Sequence, residues 1–215
     1  WDIENTLRFN NGLTLLTVTA EELRLLFEHG VAGTDADGNN TPGQFPQVGG
    51  LRFSFDPTRP AIAFDESANV ISSGSRIRSL VLVDDDGAET DVIVRDGEIV
   101  GDPNREIRMV TLDFLWGIFS SSDFIGGDGY PFPAFAKDVV QLGSTGIGEG
   151  NATFADPGSE QDALAEFLLS NHNSAGDGTP YAEAEKSPRQ DARIQNLLRT
   201  TDSVATPIAD PSLSI

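Results

Sequence analysis

No cysteine occurs in the 215 residues of this chain, which excludes a disulfide scaffold and any thiolate metal site. Histidine is confined to His29 and His172, far apart in the sequence. Lysine is confined to Lys137 and Lys186. No hydrophobic run approaches the length of a membrane span, and the signal peptide of an exported parent is expected upstream of Trp1. Three catalytic patterns are also missing: a GxSxG elbow, a nucleophilic Cys and an HExxH pair.

What is present is acidic. Lys and Arg number 14 against 34 Asp and Glu, a formal net charge of −20. Such a surface repels phosphate backbones and argues against general nucleic-acid binding. It stays soluble in salt, which screens the self-repulsion, so a saline, extracellular setting is expected. Between Thr111 and Glu185 the only cation is Lys137, so the acidity concentrates there. With 38% apolar residues, the length suffices for one sizeable domain or two small ones. The chain starts at Trp1 rather than Met, and is read as a fragment or processed product with part of its site upstream.

Leu13–Thr19 (LTLLTVT) reads as a strand, followed by a helix whose capping box is Thr19 and Glu22. Leu23, Leu26 and Phe27 fall on one face of that helix, and Gly30 or Gly33 ends it. Strands are expected over Leu51–Phe55, Arg76–Val83, Thr90–Val94 and Ile107–Leu112. Polar turns lie at Asp84–Gly87 and Arg95–Glu98. Phe119–Tyr130 and residues 143–158 read as loops, and Asn171–Glu185 as polar and irregular. Glu160–Leu169 reads as an amphipathic helix with Leu164, Phe167 and Leu168 in register. Arg193–Leu198 is a short terminal element, and residues 201–215 a tail or linker after a domain over residues 1–200. Strands and helices mix without a βαβ rhythm, so the expected class is α+β.

Few local features point to chemistry. His29 reads as a structural or capping residue near a helix end, and His172 as solvent-exposed. Asp35-Ala-Asp37-Gly38-Asn39 has the alternating oxygens of a calcium loop. It lacks the expected glycine after the fifth position, and Pro46 stands where the closing glutamate belongs, so it reads as a solvated turn. Gly126–Tyr130 (GGDGY) is more informative: two glycines let the backbone approach a partner closely and orient a carboxylate, and Tyr130 adds an aromatic surface. Taken alone it is equally a tight turn.

Several segments, in order, carry a resemblance. LRFNNGLTLL (Leu7–Leu16), LRLLFEHGVAG (Leu23–Gly33) and GQFPQVGGLRFSFD (Gly43–Asp56) come first. Arg76–Val83, VTLDFL (Val110–Leu115) and GGDGY follow. Together, over roughly residues 5–135, they resemble the 5'-nucleotidase C-terminal domain. That resemblance implies a mixed sheet with packed helices and long loops. It also implies an N-terminal metallophosphatase domain on the same polypeptide, holding two divalent metal ions, and a secreted or periplasmic bacterial protein. In such a protein a metal-activated water attacks the phosphorus of a nucleotide, with 2',3'-cyclic phosphodiester cleavage as a further activity. This chain would supply substrate specificity and no catalytic or metal-binding residue.

The resemblance also implies site residues. Phe9 and Phe114 match two aromatics that sandwich a nucleobase, a permissive mode because any flat base stacks. Asp128 matches the aspartate that contacts the base or nearby groups; a carboxylate accepts from an exocyclic amine. Asp113 adds a charge beside the Phe114 ring that bears on ligand preference. Without the resemblance, Phe9 and Phe114 are as readily core residues as ligand platforms. The spacer between Phe114 and Asp128 is longer than the family's, and Trp116, Phe119 and Phe124 within it either line, cover or block a pocket. The family's upstream Asn and Arg segment is not in this sequence, so the pocket is expected to be partial. The competing reading is a non-catalytic extracellular binding or structural module, which the long insertion favours.

Overall fold

A computed structural model describes residues 2–39, 42–117, 122–144, 152, 154–172 and 187–206. In chain order the elements are α1 (Asp2–Thr6), β1 (Leu13–Thr19), α2 (Ala20–Ala32), β2 (Leu51–Phe55), β3 (Ala63–Phe64), β4 (Val70–Ser72), β5 (Ile77–Val83), β6 (Glu89–Arg95) and β7 (Glu98–Ile99). Then come β8 (Glu106–Leu112), α3 (Asp113–Trp116), α4 (Phe132–Phe135), β9 (Lys137–Gln141), α5 (Glu160–Asn171) and β10 (Ile194–Asn196). Short 3-10 turns lie at Gly127–Gly129 and Leu142–Ser144. The class is α+β, as the strand and helix pattern leads one to expect. Two compact units divide the chain: Trp1–Val18 with Asp65–Asn69 and Glu106–Glu185, and Thr19–Phe64 with Val70–Arg105 and Lys186–Ile215.

The second unit is built on a sheet in the order β10-β2-β5-β6-β7 among the described residues. Its helix α2 starts where the capping box predicts. The Thr19 hydroxyl accepts from the Glu22 N–H at 3.2 Å, and the Glu22 carboxylate accepts from the Thr19 N–H at 2.7 Å. Leu23, Leu26 and Phe27 are buried, and Phe27 meets Phe53 edge-on with ring centroids 5.0 Å apart. Phe45 adds further ring contacts to Phe53 and Phe55. Asp84 closes the β5–β6 hairpin by exchanging backbone bonds with Ala88 and Gly87, with Gly87 in the left-handed region.

Glu28, on α2, is buried and has a specific task. Its carboxylate accepts from the backbone N–H groups of Arg76 at 3.0 Å and Ile77 at 2.9 Å, where the chain enters β5. The Arg76 guanidinium in turn donates to the carbonyls of Val31, Ala32 and Thr34 at 2.9, 3.0 and 2.7 Å. Those carbonyls lie at the end of α2, where helical partners run out. His29, one turn from that end, lies against Phe64 at 6.1 Å, a structural position.

Arg193–Leu198 becomes an edge strand. β10 runs parallel to β2, with Gln195 opposite Ser54. The chain then crosses back: one Asp202 carboxylate oxygen accepts from Ser54 Oγ at 2.6 Å and Ser79 Oγ at 2.8 Å, and Val204 is buried. Gln195 and Ser203 bond each other twice.

In the first unit the described strands order as β8-β1-β9. β1 and β9 are antiparallel, with a register shift between Leu15 and Thr17. Arg108 Nη1 braces this irregularity by donating to Thr17 Oγ1 at 2.9 Å and to the Asp138 carbonyl at 2.6 Å. α5 is capped by Ser159, whose hydroxyl accepts from the Asp162 N–H. Its inward face differs from the expected one. Gln161, Asp162 and Ala165 are buried, whereas Phe167 is 47% exposed and Leu169 57%. The helix is anchored through polar bonds at its first turn, which turns those polar residues inward. His172 caps its end, with its ring 5.3 Å from Phe167. Phe119, most of the polar stretch Asn171–Glu185, part of the loop 143–158 and the tail beyond residue 206 lie outside the described residues.

Candidate functional site

The expected site residues all fall in the first unit. Phe9 follows α1, in a loop where the Leu7 N–H donates to Ile3 O and the Asn10 N–H to Leu7 O. Asn10 adopts a left-handed backbone, φ 48°. Phe9 is 84% exposed, so it contributes nothing to the core.

Phe114 sits in the single turn α3, directly after β8. Its half-buried ring lies close against Gly127: a Cβ at that glycine would fall 2.6 Å from both Cε1 and Cζ. Gly126 comes closer still, where a Cβ would stand 2.0 Å from the Leu115 carbonyl oxygen. The paired glycines of GGDGY are therefore a steric requirement for seating the Phe114 turn. The Gly126 N–H donates to Tyr130 O at 2.7 Å and the Tyr130 N–H to Gly127 O at 3.1 Å, closing the loop.

That closure presents Asp128 at the tip, exposed and left-handed at φ 53°. A left-handed aspartate costs about 1–2 kcal/mol and persists where its surroundings fix it. Tyr130 points inward, stacked on Phe132 at 5.4 Å. Burial, and secondarily the Asp128 charge, push its phenol well above the usual range, so it stays protonated. Tyr130 is thus a packing residue rather than an exposed aromatic surface.

Asp113 links the two halves. Its N–H donates to Gly12 O at 2.8 Å, and its Oδ2 lies 2.6 Å from where a Gly12 Cβ would be, three residues beyond Phe9. Its other oxygen, Oδ1, is buried without a hydrogen-bond partner among the described residues. Asn10 Oδ1, Thr14 Oγ1 and the Trp116 indole N–H share that condition. Buried polar atoms without partners are uncommon and call for water or a ligand. Sequence reasoning missed Asn10 and Thr14. The alternation of Gly12 and Thr14 along the extended lead into β1 was the usable signal for Thr14; Asn10, left-handed, breaks that alternation and gave none. Phe124 is 46% exposed in the long spacer.

Among the described residues no three His, Cys, Asp or Glu side chains come together as a metal site needs, and Asp35 commits its Oδ1 to the Asn39 N–H at 2.9 Å.

Residues 1–136 match the family model of the 5'-nucleotidase, C-terminal domain. The chain belongs to that family. The fold is similar to that of a 5'-nucleotidase precursor from Thermus thermophilus, with a TM-score of 0.54 and 21% identity over 90% of this chain and 27% of that one. The Haemophilus influenzae NAD nucleotidase is also similar, at a TM-score of 0.45 and 14% identity over 79% of this chain and 23% of the other. This 5'-nucleotidase C-terminal domain therefore spans well under half of either solved protein. No curated protein sequence matches it. Among its described residues no helix is long and apolar enough to cross a membrane. β9, α5 and β10 all lie beyond the matched residues.

Proposed function

We propose that this chain is the substrate-specificity domain of a secreted or periplasmic metal-dependent nucleotide phosphohydrolase, and that it stacks the nucleobase between Phe9 and Phe114. The supporting observation is the 84% exposure of Phe9, a large apolar ring held out from the core on a loop that is bonded to neighbouring segments. Phe114, braced on Gly127, offers a second ring, and Asp128 a carboxylate acceptor for an exocyclic amine. The partnerless Asp113 Oδ1 and Asn10 Oδ1 supply further acceptor capacity in the same unit, and the Trp116 indole N–H a donor. Family membership supports this reading over that of a module unrelated to nucleotides. Holding the base fixes the phosphate relative to the hydrolytic centre and removes part of the entropic barrier. The ester cleavage itself belongs to an N-terminal metallophosphatase domain of the same polypeptide.

Calorimetric titration with adenosine and AMP tests the proposal. Stacking on an aromatic ring is worth about 1–3 kcal/mol per base, so Phe114→Ala is expected to weaken binding roughly 5- to 150-fold. Phe9→Ala should weaken it comparably while leaving the melting temperature unchanged, because that ring packs against little. Equal affinity in parent and both variants, or no saturable binding by the parent, would sink the base-stacking assignment.

A second expectation concerns turnover. The purified chain should not release phosphate from AMP with Mg2+, Mn2+ or Zn2+ present, since the described residues offer no metal seat. Metal-dependent release that co-purifies with the chain through a second column would refute it.

A further inference from the structure

The loop that carries Phe9 is not held by its own secondary structure. Apart from the Asp113 N–H bond to Gly12 O, its outward bonds among the described residues converge on the first turn of α5 and the two residues before it. Glu160 Oε1 accepts from the Asn11 backbone N–H at 2.9 Å and from Asn11 Nδ2 at 3.2 Å. The Glu160 N–H donates back to Asn11 O at 2.9 Å. Gln161 Nε2 donates to Leu7 O at 2.8 Å. The Leu13 N–H donates to Gly158 O at 2.9 Å, and Gly12 pairs with Ser159 in an antiparallel bridge. The loop is thus gripped on both sides of Phe9, at Leu7 before it and at Asn11–Leu13 after it.

The gripping turn is itself fixed. Gly158 is left-handed, and a Cβ there would lie 2.6 Å from the Gly143 nitrogen, so this backbone is laid against the segment that follows β9. The buried Asp162 carboxylate accepts from the Gly158 N–H at 3.1 Å and the Ala152 N–H at 3.3 Å. Gln161 is itself 5% exposed, which confines its side chain. All of these residues belong to one unit.

We infer that the first turn of α5 is a clamp that sets the position of the Phe9 ring, with Glu160 and Gln161 as positioning residues for whatever flat ligand stacks there. The inference rests on the base-stacking proposal for its ligand, but the clamp itself does not. Physically, a ring on an unclamped loop must be ordered at each binding event, and that ordering is subtracted from the affinity. Clamping in advance leaves the ring exposed yet oriented. The clamp lies outside the residues that match the family model.

The test uses the full chain with 4-fluorophenylalanine at position 9, read by fluorine relaxation, beside calorimetry with adenosine. Glu160→Ala is expected to speed the motion of the ring and weaken adenosine binding about tenfold, as the lost preorganisation requires. Glu160→Gln should restore both to near the parent, because the amide oxygen still accepts from the Asn11 N–H. Gln161→Met keeps the length, removes one donor and should give a smaller change in the same direction; it decides the matter if Glu160→Ala fails to fold. Fluorine relaxation unchanged in Glu160→Ala and Gln161→Met would overturn the clamp. A parent that binds no adenosine, with relaxation that still responds to Glu160→Ala but not Glu160→Gln, would remove the base-stacking proposal and leave the clamp standing. Weakened binding that Glu160→Gln does not rescue would overturn the clamp, since a lost charge rather than a lost bond would then be responsible.

Discussion

Alanine at Gly126 is expected to lower stability by about 3 kcal/mol and to abolish adenosine binding together. The added Cβ would stand 2.0 Å from the Leu115 carbonyl oxygen, 2.9 Å from its carbon and 3.1 Å from the Trp116 carbonyl carbon. These are backbone atoms, which cannot swing aside as a side chain would. Either α3 lifts, carrying Asp113, Phe114 and Trp116 with it, or the Gly126–Tyr130 loop opens and loses its 2.7 Å bond. For a chain of this size the loss corresponds to about 6–12 °C in melting temperature. Gly43→Ala serves as the control, since nothing lies within 4 Å of its Cβ position. A Gly126→Ala protein that melts with the parent and binds adenosine equally would show that the close approach of these two backbones has no energetic weight.

The second large effect lies in the other unit. Glu28→Ala removes the carboxylate that accepts from the Arg76 and Ile77 N–H groups, which are buried where β5 begins. Each orphaned donor costs about 1–3 kcal/mol, so a loss of about 3–5 kcal/mol is expected in urea unfolding. The effect carries a pH signature. Burial raises the Glu28 carboxyl above its ordinary value, against the opposing pull of the Ile77 and Arg76 N–H bonds. A carboxyl that holds its proton more tightly when folded contributes fully below its unfolded pKa, and that contribution declines as pH rises through the folded one. The advantage of the parent over Glu28→Ala should therefore be larger near pH 4 than near pH 7. A gap that stays constant, or widens with pH, contradicts this account of Glu28.

Local chemistry made much of the architecture legible. Thr19 and Glu22 announce the start of α2 because a capping box needs only four consecutive residues, and Asp84–Gly87 announces a hairpin for the same reason. Leu13–Thr19 and Leu51–Phe55 are strands over the expected residues. α5 was legible as a helix but not in its orientation. Its apolar residues suggest Leu164, Phe167 and Leu168 as the inward face, yet Gln161 turns inward to Leu7, some 150 residues earlier, and Asp162 to the Gly158 and Ala152 N–H groups. β10 is three residues long and pairs in parallel, a contact no local pattern encodes. At the candidate site the glycine pair of GGDGY was readable as a close approach, but what it approaches, the α3 backbone and the Phe114 ring, was not. The burial of Tyr130 was likewise hidden, because a tyrosine beside an exposed aspartate gives no sign of which way it turns.

The return path of the chain through β10 and Asp202 bears on what counts as one heritable piece. The match to the family model stops at residue 136, before β9 has joined β1 and long before β10 has joined β2. A gene cut at that point would deliver a polypeptide with an open edge on each of its main sheets and with Ser54 and Ser79 deprived of their common acceptor. For grafting, truncation or fusion, a cassette that keeps these bonds reaches at least Thr206, whose N–H donates to the Glu89 carboxylate. The stretch that the family model recognises is thus shorter than the one whose strands and bonds complete these sheets.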